Sequence, residues 1–131
     1  MRGSNARARG SALALSLMLL AFPAGAEQHT VTRVTIVAKP RVVNAPCPTT
    51  IEFAAIIYVG RHPVFVDYEW ERSDGAHSAR QRVEITGPWH RVTDTWTVGT
   101  PGRSRKVWAK LRVLAPTSIA SSQAVVELNC R

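Results

Sequence analysis

Apolar and polar residues alternate along most of the chain from residue 31 to residue 130. Because successive side chains of a β-strand point to opposite faces, this alternation predicts strands that are buried on one side. No segment of this region has the apolar spacing of an amphipathic helix. The pattern predicts seven strands, at residues 31–38, 50–59, 64–72, 82–86, 91–98, 105–114 and 123–130.

Turn-forming residues separate the predicted strands. Glycine and proline occur together in segments 60–63, 87–88 and 99–102, and an Asp-Gly pair lies at 74–75. About seven strands within about 100 residues, divided by such turns, are typical of a two-sheet antiparallel sandwich. The sequence shows no internal repeat or interdomain linker, so we expect one all-β domain over residues 27–131.

Four carboxylates indicate which side chains of strands 64–72 and 91–98 need solvent or a charged partner. Asp67, Glu69 and Glu71 alternate with apolar residues, and we expect them to face solvent because an unpaired buried carboxylate is costly. Asp94 lies on the inward face of its strand, so we expect it near a sheet edge or paired with an arginine.

The first 26 residues have the pattern of a secretory signal peptide. Three arginines precede an apolar stretch of 11 residues at 12–22, which is too short to span a bilayer. Small residues at 24–26 favour cleavage before Glu27. The alternatives are a membrane anchor or a buried first helix, but Pro23 breaks a helix and no second apolar stretch follows. We therefore expect a secreted or periplasmic protein with no transmembrane segment after cleavage.

Export changes how charge and cysteines are interpreted. The full chain has 17 basic and 9 acidic residues, a net charge of +8, and loss of three arginines would leave +5. Two cysteines outside the cytoplasm usually oxidise, which favours a disulfide between Cys47 and Cys130 over a catalytic or metal-binding thiol pair.

Five sequence motifs resemble those of bacterial exported immunoglobulin-like domains, which are largely uncharacterised. The motifs are CPTTIEF at 47–53, YEWERSDG at 68–75, TDTWTVG at 93–99, WAKLRVLAP at 108–116 and VELNC at 126–130. The resemblance implies an immunoglobulin-like sandwich with Cys47 and Cys130 as the paired cysteines, Trp70 in the core and Trp96 as a second packing residue. It implies nothing about activity, because fold does not determine function.

Catalytic and metal-binding patterns are weak. Asp74, His77 and Ser78 lie together in a polar stretch, but a catalytic triad is assembled in space and no nucleophile-elbow pattern is present. The four histidines form no metal-binding spacing, although loop histidines such as His62 and His90 could converge. We therefore predict no enzyme activity, no metal site and no cofactor, and an enzyme with a loop-borne site remains a weaker alternative.

A basic strip on strand 105–114 is the first candidate binding surface. Arg105, Lys110 and Arg112 are predicted on its outward face around Trp108, where they could bind an anionic polymer such as an envelope or host glycan. The alternative is a solvated face, and pairing with Glu69 and Glu71 would follow if the two strands are neighbours. No nucleic-acid partner is expected, since no RNA-recognition signature occurs.

The loops between strands are the second candidate. Trp89 is predicted in a turn and exposed, beside His90, and Arg61 lies in the loop 60–63. We predict a non-catalytic binding or assembly module that contacts a protein or glycan partner at the cell envelope through its end loops or an exposed strand edge. The alternative function is binding of an anionic polymer by the basic face.

Overall fold

The computed structural model describes residues 30–131, together with Gly3 and Gly10. Apart from those two glycines, the predicted signal peptide lies outside the described residues. The described chain forms nine strands and no helix. The strands are β1 (Val31–Lys39), β2 (Val42–Ala45), β3 (Thr49–Val59), β4 (Val64–Arg72), β5 (Gln81–Ile85), β6 (Trp89–Val98), β7 (Ser104–Ala115), β8 (Ile119–Ala120) and β9 (Ala124–Cys130).

The strands form two sheets. The three-stranded sheet has the order β1-β3-β6 and is antiparallel throughout. The six-stranded sheet has the order β2-β9-β7-β4-β5, with β8 paired to β7. Its strands are antiparallel except where β2 runs parallel to β9. The predicted all-β sandwich is therefore confirmed.

The core lies between the two sheets and contains the predicted inward residues. Trp70 is 1% exposed and Trp96 is 8% exposed, and Phe53, Leu111 and Leu128 are fully buried. These residues belong to strands of both sheets. Removing their apolar area from water, at about 25 cal/mol per Å², is the main force that holds the sheets face to face.

Two short strands do not correspond to any predicted strand. β2 lies among three prolines, and β8 contains only two residues. Neither segment has enough alternation to indicate a strand by itself. Each becomes one because the chain places it beside a longer strand, β9 for β2 and β7 for β8.

Asp67 does not face solvent, so this expectation is wrong. It points to the outer side of the six-stranded sheet, as alternation predicts, but it is only 5% exposed. The Nη2 of Arg80 lies 2.6 Å from its Oδ2, and the Nε of Arg82 lies 2.7 Å from its Oδ1. The hydrogen bonds from Arg82 and then Arg80 lower the pKa of Asp67 to about 2, against the opposing effect of desolvation. Burial is tolerated because this carboxylate is paired twice.

Asp94 has an arginine partner, which was one of the two expectations for its inward position. The Nη2 of Arg72, in β4, lies 2.9 Å from the Oδ2 of Asp94, in β6. The same guanidinium donates a hydrogen bond to the carbonyl of Thr95 at 3.1 Å and lies 5.3 Å from the ring centre of Trp96. Arg72 therefore connects the two sheets along the open side where β6 has no further strand within residues 30–131.

The Cys47–Cys130 disulfide is confirmed and joins the two sheets. Cys47 precedes β3 of the three-stranded sheet, and Cys130 ends β9 of the six-stranded sheet. Gly99 packs against this bridge with a φ of +112°, and an added Cβ would lie 2.7 Å from the sulfur of Cys47. Only glycine fits this position, because both the backbone conformation and the space exclude a side chain.

Candidate functional site

The predicted basic strip lies on the outer face of the six-stranded sheet, but its members do not all share that face. Trp108, Lys110 and Arg112 point outward from β7, and Trp108 is half-buried. Arg105 is opposite Leu128, whose side chain is in the core, so Arg105 belongs to the other side of the sheet at its exposed end. Lys106 takes its place on the outer face.

Each basic residue on this outer face stands opposite an acidic residue on the neighbouring strand. The Nζ of Lys110 lies 3.5 Å from the Oε2 of Glu71, and both side chains are largely buried. We call this surface the paired-charge face, and the cross-strand pairs that define it are Lys106–Glu127, Lys110–Glu71, Arg112–Glu69 and Arg82–Asp67. The expected pairing of Glu69 and Glu71 with β7 is confirmed in its register.

The predicted binding loops belong to two opposite ends of the sandwich. The loops at 60–63 and 86–88 meet at one end, where the N–H of Val59 binds the carbonyl of Pro88 at 3.0 Å. The loops at 73–80 and 99–103 lie at the other end, and Gly99 of the second loop packs against the disulfide. Arg61 and Trp89 therefore share one end of the sandwich.

Trp89 lies in a strand rather than a turn, as the first residue of β6. It is 52% exposed and points outward from the three-stranded sheet. His90 points to the opposite side of β6, because it pairs with the buried Ile57, and it is half-buried. The two predicted contact residues therefore cannot act on one surface.

Trp89 is part of a row of planar side chains on the outer face of the three-stranded sheet. The strand register aligns Arg33 with Tyr58, and Tyr58 with Trp89. The guanidinium carbon of Arg33 lies 4.1 Å from the centre of the Tyr58 ring, which is a close cation–π contact. The adjacent row carries Ile56 and Arg91. We call these five residues the aromatic–arginine surface.

A β-bulge places Arg33 in this row. The pairing of β1 with β3 shifts between Val31 and Arg33, so Thr32 is the additional residue. Its hydroxyl donates a hydrogen bond to the carbonyl of Tyr58 at 3.3 Å. A bulge of this kind redirects the side chain that follows it, here the arginine that covers Tyr58.

Few carboxylates oppose the arginines of this surface. Among the outward side chains of β1, β3 and β6, Glu52 is the one carboxylate, against Arg33, Lys39 and Arg91. Its Oε1 lies 3.7 Å from the Nη2 of Arg91, and both side chains are 52% exposed. An ion pair of this length and exposure is weak, so Arg91 can exchange it for a ligand.

Sequence reasoning did not single out Arg33, Ile56 or Tyr58. Alternation placed Ile56 and Tyr58 on the polar side of their strand, and an isoleucine and a tyrosine at neighbouring outward positions are a signal for an exposed apolar surface. Arg33 gave no such signal, because only the bulge and the strand register bring it beside Tyr58.

The polar side chains considered for catalysis have separate structural partners. The Oδ1 of Asp74 accepts the N–H of Ala76 at 2.9 Å, and the Oγ of Ser78 accepts the N–H of Trp70 at 2.8 Å. The Nδ1 of His77 lies 3.3 Å from the Oε1 of Glu69. The triad geometry is absent from this loop.

Other features that would support catalysis or metal binding are also missing from the described residues. Residues 30–131 contain no group of three histidine, cysteine, aspartate or glutamate side chains placed to hold a metal ion. A groove lies between residues 36–38 of β1 and residues 122–125, with Arg41 at its side. Its lining residues include the hydroxyl of Ser122 but no carboxylate, histidine or thiol, so this hydroxyl has none of the usual general bases within the groove.

Comparison with known structures supports the fold. The CARDB domain of the PF1109 protein from Pyrococcus furiosus, determined in complex with di-metal ions, is 13% identical, with a TM-score of 0.55. The match covers 77% of this chain and 96% of that one. A solution structure of the same domain is 12% identical over 75% of this chain and 95% of that one, with a TM-score of 0.49. No protein-family model and no curated protein matches the sequence.

The fold and the comparison together define the class of this protein. It is an immunoglobulin-like β-sandwich domain with one disulfide. At this low sequence identity, the similarity to the CARDB domain shows a shared fold and nothing about function, since one fold supports many functions. Within the part of the chain that the structure describes, no helix has the length and apolar character needed to cross a membrane.

Proposed function

We propose that this protein is a non-catalytic binding module of the secreted or periplasmic space, and that the aromatic–arginine surface makes its contact. The observation that carries the proposal is the half-exposed Trp89 beside Tyr58 and its stacked Arg33. Tryptophan, tyrosine and arginine are the residues most enriched at the energetic centres of binding interfaces. Their position on a rigid sheet lowers the conformational entropy lost when a partner binds.

The compartment is part of the same proposal. The pattern of residues 1–26 and a fully oxidised cysteine pair both suit export. The partner is then a protein or glycan of the cell envelope or its surroundings. The groove between β1 and residues 122–125 has no carboxylate or histidine among its lining residues, which suits a module that binds its ligand without converting it.

The test compares two exposed aromatic residues of the two sheets. Trp89 is 52% exposed on the three-stranded sheet, and Phe65 is 58% exposed on the six-stranded sheet. The exported protein and its variants Trp89→Ala and Phe65→Ala are immobilised and exposed to envelope extract. We expect one component to be retained by the wild type and by Phe65→Ala, and lost with Trp89→Ala.

Tryptophan fluorescence provides an independent measurement. Trp70 and Trp96 are buried and Trp108 is half-buried, so the tryptophan most accessible to acrylamide quenching is Trp89. The retained component should protect this accessible fraction, and the protection should be absent from Trp89→Phe. Retention that is equal for all three proteins, or no retention above an empty matrix, contradicts the proposal.

The alternative function, binding of an anionic polymer by the basic strip, remains a prediction with a weaker site. Lys110 is already paired with Glu71, and the register places Glu69 opposite Arg112. A cation that has a carboxylate neighbour attracts a polyanion less strongly. Loss of heparin retention on changing Lys110 and Arg112 to glutamate would restore this alternative.

A further inference from the structure

The aromatic–arginine surface has the chemistry to recognise a ligand that is both flat and anionic. Trp89 and Tyr58 are cross-strand neighbours on one sheet surface, and the guanidinium of Arg33 covers one face of the Tyr58 ring. No carboxylate lies within ion-pair distance of Arg33 in residues 30–131. A stacked guanidinium keeps its N–H groups in its own plane, where they can still form a forked pair with a carboxylate.

We infer that this surface binds a carboxylate-bearing polysaccharide, a chain of uronic acid sugars. The inference rests on the proposed function, because it names the ligand of the same surface. A pyranose ring has an apolar face of C–H groups that can lie on an aromatic ring, which removes apolar area from water. Its carboxylate projects from the ring edge, where Arg33 or Arg91 can bind it.

The spacing of the surface suits a short stretch of such a chain. Arg33, Tyr58 and Trp89 occupy one row across three neighbouring strands. Two strand spacings amount to about 9–10 Å, comparable to the length of two linked sugars. Arg91 is two residues beyond Trp89, about 7 Å along β6. The two arginines therefore lie beyond the rings in two directions and are placed to bind two carboxylates within one short stretch of the polymer.

The charge of the surface favours this ligand over other polymers. A neutral polysaccharide would leave Arg33 and Arg91 without partners, so it would gain only the ring contacts. The surface has two separate arginines and neither a cluster of backbone N–H groups nor a helix N-terminus to hold phosphate or sulfate. A carboxylate for each arginine matches this arrangement.

The experiment measures binding of the exported protein to polygalacturonate, with dextran sulfate as the sulfated polymer that lacks carboxylates and dextran as the neutral one. We expect polygalacturonate to bind at least about tenfold more tightly than dextran. Trp89→Ala should weaken binding of polygalacturonate about tenfold, because the ring contact is lost. The double change Arg33→Gln with Arg91→Gln should weaken it by at least about tenfold.

A matched control separates recognition from net charge. The double change Lys106→Gln with Arg112→Gln removes the same two charges from the paired-charge face, and it should alter affinity less than about twofold. The double change Arg33→Lys with Arg91→Lys keeps the charge but loses the forked geometry, so it should also weaken binding. Circular dichroism of every variant checks that the sandwich is intact.

The outcomes distinguish the ligand class from the proposed function. Equal losses in the two glutamine doubles, or full affinity in the lysine double, would show unspecific attraction and overturn the inference. Binding of dextran sulfate alone, or of no polymer, would also overturn it. If Trp89→Ala still abolishes retention of an envelope component in those cases, the binding module remains and its ligand is another class, such as a protein.

Discussion

The outer faces of the two sheets both carry basic residues but arrange them differently. On the six-stranded sheet, Lys110 faces Glu71 and two arginines enclose Asp67. On the three-stranded sheet, Arg33 lies on a tyrosine ring, and one exposed glutamate serves the whole face. Three cations of the first face are therefore held in ion pairs, whereas the arginines of the second have only the weak pair between Arg91 and Glu52.

This difference shows that a count of basic residues does not locate a binding surface. The strand with the most basic residues, β7, is the one whose outward cations face acids on both neighbouring strands. Coulomb attraction to a ligand must then compete with a carboxylate already a few ångströms away. The sparser arginines of β1 and β6 have no such competitor apart from Glu52.

The largest effect on stability is expected from removing the disulfide that joins the two sheets. Changing Cys47 and Cys130 together to serine should lower the free energy of unfolding by about 2–4 kcal/mol, because the unfolded chain gains the entropy of an open loop. Urea denaturation measures this loss. A midpoint equal to that of the wild type would show that the bridge contributes nothing to holding the sheets together.

A smaller loss of stability is expected from a side chain placed against the disulfide. Gly99→Ala puts a Cβ 2.7 Å from the sulfur of Cys47 and keeps a φ of +112°, so we expect a loss of about 1–3 kcal/mol in urea denaturation. Gly102→Ala is the matched control, because its φ is +76° and nothing lies within 4 Å of an added Cβ. If the two variants lose equal stability, the backbone conformation matters and the contact with the disulfide does not.

Neutralising Asp67 should make the arginines of the six-stranded sheet as accessible as those of the three-stranded sheet. Asp67→Asn removes the charge that holds Arg80 and Arg82, so stability should fall and retention on heparin should rise as the arginines are released. The pKa of Asp67 is lowered to about 2, so its contribution is complete above the unfolded pKa of about 3.9. It should disappear as the pH falls from about 4 to about 2.

Denaturation at a series of pH values tests this dependence. The stability difference between the wild type and Asp67→Asn should be constant near neutral pH and should shrink through that acid range. A difference that is unchanged at about pH 2, or heparin retention that stays the same, would contradict the account of the paired-charge face.

A single pair on the same face gives a milder test. Glu71→Gln leaves Lys110 without its carboxylate, and we expect stability to change by less than about 1 kcal/mol while heparin retention increases. The pair is 3.5 Å long, and the Oε2 of Glu71 has no hydrogen-bond partner, so little is lost. Unaltered retention would mean that Lys110 remains neutralised by another group.

The smallest effect on stability is expected on the three-stranded sheet. Glu52→Gln removes the one carboxylate of that face, which lies 3.7 Å from Arg91 and is 52% exposed. The free energy of unfolding, measured by thermal denaturation, should change by no more than about 0.5 kcal/mol, while polygalacturonate should bind more tightly. Weaker binding would show that Glu52 itself contacts the ligand.

Local sequence patterns were enough to predict the seven main strands, the face that each presents to the core, and the disulfide. These features depend on the two-residue period of a strand and on the chemistry of exported cysteines, both of which can be recognised locally. Trp70 and Trp96 could be placed in the core because their alternating neighbours are apolar. For Asp94, an arginine partner could be predicted as one of two alternatives, although the sequence did not indicate which arginine.

The contacts between residues on different strands could not be predicted before the fold was known. The short strands β2 and β8, the burial of Asp67 beneath Arg80 and Arg82, and the alignment of Trp89 with Tyr58 all depend on register between segments distant in sequence. Arg33 reaches Tyr58 through a bulge that no local pattern indicates. Strand pairing is a long-range choice made by the packing of the whole core, so the candidate site could not be assembled from the alternation of single strands.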